Sequence, residues 1–201
     1  MGSATAGIAH DINNQLNLIL NHLSILDPVA LPDVAGALEA VRRCSALTGS
    51  LLSYARGESI QIGPLDPSVF LRCFISQLRV PKGIILAPEI PDVLPAIAAD
   101  PLALTRALNN LISNALAAMR DRGVLSIRAA RQTIEIGDSG PGIPPELQAA
   151  IFEPFFTTKG AHGTGLGLSI VREIMRQHSG SVTLRSKPGI GSRFTLRFRS
   201  A

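Results

Sequence analysis

Residues 163 to 167 read Gly163-Thr164-Gly165-Leu166-Gly167, and upstream of them stands Asp138-Ser139-Gly140-Pro141-Gly142. Glycine lets the main chain pass close to a ligand and adopt positive φ, and the amides of a loop entering a helix can hold phosphate oxygens. Two such runs in this order, behind a stretch that carries Asn110 and Asn114 one helical turn apart, describe a lidded nucleotide pocket. Neither common phosphate fingerprint is present. Gly-x-x-x-x-Gly-Lys-Ser/Thr is missing, and the Gly163 run lacks the spacing and the βαβ setting of a dinucleotide site. Near the N-terminus, His10 is followed by Asp11 and Asn14. A neutral imidazole is a competent nucleophile toward phosphorus.

These groups need elements to hold them. Ala9, Ile12, Leu16, Ile19, Leu23 and Leu26 recur in three- and four-residue steps, a coiled-coil seam, with His10, Asn14, Asn17 and Asn21 on a polar stripe beside it. Asp27-Pro28 to Pro32 ends that helix, and Asp33 is a suitable N-cap for a second one running to about Arg56. Such a hairpin completes its core by pairing with a copy into a four-helix bundle. Gly57-Glu58-Ser59 through Gly63-Pro64 reads as a linker, so residues 1–58 and 59–201 are expected as separate domains. In the second, the pattern predicts helices over 67–79, 101–119 and 164–178. Strands are predicted over 84–87, 96–98, 125–131 and 133–136, then a hairpin over 181–186 and 192–199. The class is α+β, the second domain an α/β sandwich with a largely antiparallel sheet.

Composition narrows the function classes. Of 201 residues 46% are hydrophobic but only 4% aromatic, so the core is aliphatic. The longest uncharged stretch, Ile12 to Leu26, is broken by asparagines and cannot span a membrane, and no leader precedes it, so membrane contact is not expected and a cytoplasmic setting is. The formal charge of +4 comes from dispersed arginines with few aromatics for stacking. Attraction to ATP and to an acidic protein partner explains the charge equally well, and no nucleic-acid partner is expected. Cys44 and Cys73 fit no metal spacing and read as reduced, structural thiols.

Asn110 to Asn114, Asp138-x-Gly140-x-Gly142, Phe152-Glu153-Pro154-Phe155-Phe156 and Gly163-x-Gly165-x-Gly167 together resemble the N, G1, F and G2 boxes of sensor histidine kinases, whose ATPase superfamily includes gyrase, Hsp90 and MutL. Ile8-Ala9-His10-Asp11-Ile12-Asn13-Asn14 is similar to that family's phosphoacceptor box. The resemblance implies that His10 takes the phosphoryl group, Asp11 orients or deprotonates it, and Asn14 positions water that dephosphorylates a response regulator. It implies that Asp138 accepts from the adenine amino group beside Gly140 and Gly142, and that Asn114 presents an oxygen to Mg²⁺. Asn110 stands where hydrolytic relatives place a glutamate. Thr158, Lys159, Gly163, Thr164, Gly165, Leu166 and Gly167 form the lid over ATP, with Ser192 near the base. Phe152, Phe155 and Phe156 anchor that lid as core residues.

Departures are Gln15, where many relatives have proline, and Ala117, where a charged residue is frequent, which leaves Lys159 to neutralise phosphate. The resemblance implies a homodimeric kinase that labels itself from ATP and passes the group to a receiver-domain aspartate. Two competitors are a relay protein of the same fold that does not use ATP, and a gyrase- or MutL-like ATPase acting on DNA. Intact Asp138 and lid glycines disfavour the first, Asn110 and the His10 helix the second.

Overall fold

Two Asp-Pro steps set where the first two helices of the second domain begin. Asp66 accepts from the amides of Ser68 (2.8 Å) and Val69 (3.1 Å), and Pro67 opens α1 (Pro67–Gln77). Asp100 accepts from Leu102 (2.8 Å) and Ala103 (3.0 Å), and Pro101 opens α2 (Pro101–Met119). An aspartate N-cap satisfies amides that no helical carbonyl reaches, and proline at the first position gives up no hydrogen bond. The third helix, α3 (Gly167–Gln177), starts at Leu166 with no side-chain cap.

The computed structural model describes residues 60–120, 122–158 and 165–201 and, ahead of them, Ile12, Leu16, Ile19, Leu23, Ala37, Val41 and Cys44. The chain divides into two compact units, Met1–Ser59 and Ile60–Ala201. Every described residue of the first unit is helical. On its expected seam Ile12 and Ile19 are 43% and 45% exposed, and Leu16 and Leu23 are half-buried. The rest of the hairpin, with His10, Asp11 and Asn14, lies outside the described residues, as do Lys159, Gly163 and Thr164.

In the second unit β2 (Ile84–Glu89), β4 (Gly123–Ala130), β5 (Thr133–Asp138), β7 (Gly191–Arg197) and β6 (Ser181–Lys187) form one sheet in the spatial order β2-β4-β5-β7-β6. β2 joins β4 in parallel, and the other pairings are antiparallel. A small antiparallel pair, β1 (Gly63–Leu65) with β3 (Ile97–Ala99), stands apart. Gly63-Pro64, expected as linker, is therefore strand. A three-residue strand that begins Gly-Pro carries no periodicity, and a partner more than thirty residues away supplies the order.

Strand alternation decides which face is covered. Leu125, Ile127, Ile134, Ile136 and Leu196 are 0–1% exposed, as are Leu104, Leu108 and Leu111 of α2 and Val171 and Met175 of α3; α2 packs on β4, β5 and α3, and α3 also packs on β6. Full burial of each such side chain stabilises the fold by about 1.5–3 kcal/mol. Residues between them, such as Val124, Ser126 and Arg128, point to the other face and are exposed or half-buried. The second unit is thus an α/β sandwich with an aliphatic core. Cys44 and Cys73 are both exposed and neither is in a disulfide, in keeping with the reduced state expected of them; Cys73 Sγ accepts from Gln77 Nε2 (3.6 Å).

Candidate nucleotide site

Helix α2 carries Asn110 and Asn114, both half-buried, on one face. Gly167 lies against them: a Cβ built there would sit 3.2 Å from Asn110 Oδ1 and 3.6 Å from Asn114 Nδ2. Asn110 Nδ2 donates to the Arg106 carbonyl (3.0 Å), which turns its oxygen toward Gly167. The uncapped first turn of α3 therefore opens beside both asparagines. Amides at a helix start lack intrahelical acceptors, and anions are held there. Leu166 is 2% exposed, and its carbonyl accepts from Ile170 N (2.9 Å) and Ser169 Oγ (2.9 Å), so only its main chain could serve a ligand.

Asp138 ends β5 opposite Leu125, which puts its carboxylate on the helix side of the sheet. The Gly140 amide donates to Oδ1 (2.8 Å), and the Ser192 amide donates as well. Burial pushes the carboxyl above its usual range, and those two amides pull against burial without reversing it. A carboxylate offers about four acceptor positions. Two are used by the main chain, which leaves capacity for a donor on a ligand. Gly140 also abuts α2, since a Cβ on it would lie 3.3 Å from Ala118 Cβ, one turn beyond Asn114. Helix α2 thereby joins the asparagine pair to the Asp138 corner.

The turn after Asp138 is stitched to the β6–β7 hairpin. Gly142 has φ of 72°, and any Cβ there would run into the Lys187 carbonyl, so glycine is required twice over. Ser186 Oγ accepts from Ile143 N (2.7 Å), donates to the Gly191 carbonyl (3.0 Å) and lies 3.1 Å from the hydroxyl of buried Ser192. Gln148 Nε2 donates to Ile143 O (2.9 Å) and Ser186 O (3.2 Å). Neither Ser186 nor Gln148 belongs to a motif; only the register of β6 on β7 could have marked Ser186.

The phenylalanines divide. Phe152 is half-buried and meets Phe194 edge-to-face at 6.2 Å, and Phe156 is half-buried. Phe155, expected in the core, is 62% exposed with φ of 67°. Its left-handed backbone turns the ring outward, and Gly165, itself at φ 67°, packs on its main chain so closely that no side chain fits. Thr158 is exposed.

A second anchor fixes the other end of α2. The Asp100 amide donates to Nε2 of buried His178 (2.9 Å), and His178 Nδ1 lies 2.7 Å from the Ile174 carbonyl. That pairing defines the neutral tautomer with its proton on Nδ1. The Asp100 carboxylate also accepts from Gln61 N (2.6 Å). Burial raises the carboxyl's pKa, but the amides of Ala103, Gln61 and Leu102 outweigh it, and the net position is below the usual range.

The family model for the histidine kinase-, DNA gyrase B- and HSP90-like ATPases matches residues 99–201. The signal transduction histidine-protein kinase AtoS of Escherichia coli K12 is 32% identical over 98% of this chain and 34% of its own length. The sensor histidine kinase ZraS of the same strain is 34% identical over 98% of this chain and 45% of its own. The chain thus spans less than half the length of these curated relatives. Among solved structures, full-length ShkA in complex with AMPPNP shares the fold with a TM-score of 0.78 at 24% identity, over all of this chain and 47% of that one. The nucleotide-free catalytic domain of the histidine kinase ThkA aligns with a TM-score of 0.56 at 29% identity, over 70% of this chain and 97% of its own. No helix among the described residues is long and apolar enough to cross a membrane. With the asparagine pair, the Asp138 corner and the α3 start arranged as described, and with sensor histidine kinases among its relatives, the chain belongs to the histidine kinase-, DNA gyrase B- and HSP90-like ATPase family.

Proposed function

We propose that this chain is the catalytic core of a kinase that moves the γ-phosphoryl group of ATP to His10 and on to an aspartate in the receiver domain of a response regulator. The observation that carries this reading is the meeting of Gly167 with Asn110 and Asn114. Hydrolysis would need a carboxylate base beside the phosphates, and an amide stands there instead.

Each group then has a role. Asp138 accepts from the adenine amino group, and Gly140 and Gly142 let the main chain lie along the base, with Ser192 beside them. Amides of Gly165, Leu166 and Gly167 at the start of α3 hold phosphate oxygens, and Gly163, Thr164, Thr158 and Lys159 close over them. The half-buried Asn114 amide offers one hard oxygen donor, which suits Mg²⁺, a cation that keeps waters and shares phosphate oxygens. When bound, Mg²⁺ supplies charge neutralisation on the phosphates. His10 attacks in line while Asp11 orients the imidazole. Asn14 directs water at the phosphorylated regulator, which gives phosphatase activity.

The hairpin, residues 1–58, would pair with its copy into a four-helix bundle; the exposure of Ile12 and Ile19 on helical seam positions supports this. Residues 59–201 form the ATP-binding part, in a cytoplasmic setting. Incubation with γ-labelled ATP and Mg²⁺ tests the reading: the label should be acid-labile, base-stable and lost in His10→Gln. Label that persists in that variant overturns the assignment of His10. A chain that binds no ATP yet exchanges phosphoryl groups with a regulator is the ATP-independent relay.

A further inference from the structure

The face of the sheet turned away from α2 and α3 carries a pattern that the nucleotide site does not use. Across the strands, Ala87, Ser126, Gly137, Arg193 and Arg185 are successive register partners and so form one row on that face. Small residues make its floor, and Gly137 makes none: a Cβ there would lie 2.5 Å from Ser126 Oγ and 3.9 Å from Arg193 Nε. The result is an open trough of about 470 Å³ that ends on two arginines.

Those arginines break a local rule. Arg185 and Arg193 stand directly opposite each other, and like charges so placed destabilise a strand pair. Neither has an ion-pair partner among the described residues. The two carboxylates on this face are engaged elsewhere, Glu89 with Arg128 Nη2 (2.7 Å) and Glu135 with Thr195 Oγ1 (3.0 Å). Arg128 is itself half-satisfied, because its buried Nε has no partner. An uncompensated violation of this kind is expected where a ligand supplies the missing charge. Beside the trough, Ile85 and Ile190 are 66% and 61% exposed, and Val124, the register partner of Ile85, is 38% exposed.

We propose that this face docks an acidic protein segment, which sets carboxylates against Arg185 and Arg193 and lays apolar side chains on Ile85, Val124 and Ile190. The chemistry favours polypeptide over nucleic acid. No aromatic side chain lies in the trough to stack on a base, and the apolar group of Ile85, Val124 and Ile190 offers a nucleic acid nothing. Strand spacing and rise give the face roughly 400 Å². A stable complex buries about 800 Å² per partner, so the docking is transient. The inference is independent of the kinase reading, because the asparagine pair and Asp138 carboxylate lie on the helix side.

Fluorescence anisotropy on the full chain tests it with a labelled Glu-Leu repeat peptide, a Glu-Ser repeat peptide and a DNA duplex. The Glu-Leu peptide should bind best. Arg185→Glu with Arg193→Glu should weaken it about tenfold or more, while ATP affinity, which reports an intact fold, stays unchanged. Ile85→Ser with Ile190→Ser should weaken the Glu-Leu peptide roughly three- to tenfold and leave the Glu-Ser peptide alone. Equal binding of the two peptides, tighter binding of DNA, or an equal loss from Arg172→Glu with Arg176→Glu on α3 would each overturn the proposal in favour of unspecific charge attraction. Wild-type binding by the Arg185/Arg193 variant would overturn it outright.

Discussion

Asp100 and Asp138 occupy similar places, each at the end of a strand on the helix side of the second unit, and they are tuned in opposite directions. Both pay for burial. Asp100 receives three amides, from Ala103, Gln61 and Leu102, and its pKa falls; Asp138 receives two, from Gly140 and Ser192, and its pKa rises. The difference separates a carboxylate with three amide donors that holds structure from one with two that has more acceptor capacity left. A carboxylate left short of donors in a cleft is expected where a ligand brings the rest.

The sharpest way to break this comparison is to remove each charge and read both binding and stability. Asp138→Asn should lower ATP affinity roughly ten- to hundredfold, the equivalent of about 1.5–3 kcal/mol for a charge-assisted hydrogen bond, with little change in Tm. Titration calorimetry beside thermal melts measures both. If Tm collapses while ATP still binds, the two aspartates have been assigned the wrong way round. Asp100→Ala should do the reverse, costing about 2 kcal/mol and so about 4–8 °C in Tm, with unaltered ATP affinity at temperatures where the variant is folded.

Acid titration sharpens the contrast. The folded-state pKa of Asp100 lies below its unfolded value, so between the two the unfolded chain holds more protons. Its contribution is present above the unfolded value and lost as pH falls through the folded one. For Asp138 the folded value lies above, so stability declines as pH rises from the unfolded value toward the folded one. In Tm measured across the carboxylate range, Asp100→Asn should remove a rising component and Asp138→Asn a falling one. Changes of the same sign in both variants contradict the assignment.

The smallest effect tests the count of amides directly. Gln61→Pro deletes one donor to Asp100 and should cost about 0.5–1.5 kcal/mol. Carboxyl resonances followed by NMR should show the Asp100 pKa moving up toward its ordinary range. An unmoved titration would mean that the Gln61 contact contributes nothing.

What could be read from the sequence follows how local its cause is. Helix α2 was legible at both ends because Asp100-Pro101 is a start signal that acts within four residues, and its apolar spacing repeats along the whole helix. Gly142 and Gly165 stand at positive φ where a Cβ would strike the main chain, a need set at their own positions and so marked by residue type alone. β1 was not legible, since Gly63–Leu65 is ordered by Ile97–Ala99 from far along the chain. Phe155 was placed in the core on residue type, but a left-handed backbone overrides type. Ser186 and His178 were missed for a third reason: a serine and a histidine acquire their meaning from partners, Ile143 and Ser192 for one, Asp100 for the other, that no spacing in the chain reveals.

The one parallel pairing in an otherwise antiparallel sheet sets an order of assembly. β4 and β5 are joined by Arg131 and Gln132 alone, so that hairpin closes locally and fast. β2 reaches β4 only after the chain has passed through β3 and all of α2, and closing a loop costs about 0.6 kcal/mol more for each doubling of its length. The hairpin is therefore the earlier event and β2 the later one, added once α2 is in place. Hydrogen exchange would see the same sequence in reverse, with the Ile84–Glu89 amides opening before those of Ile134 and Ile136.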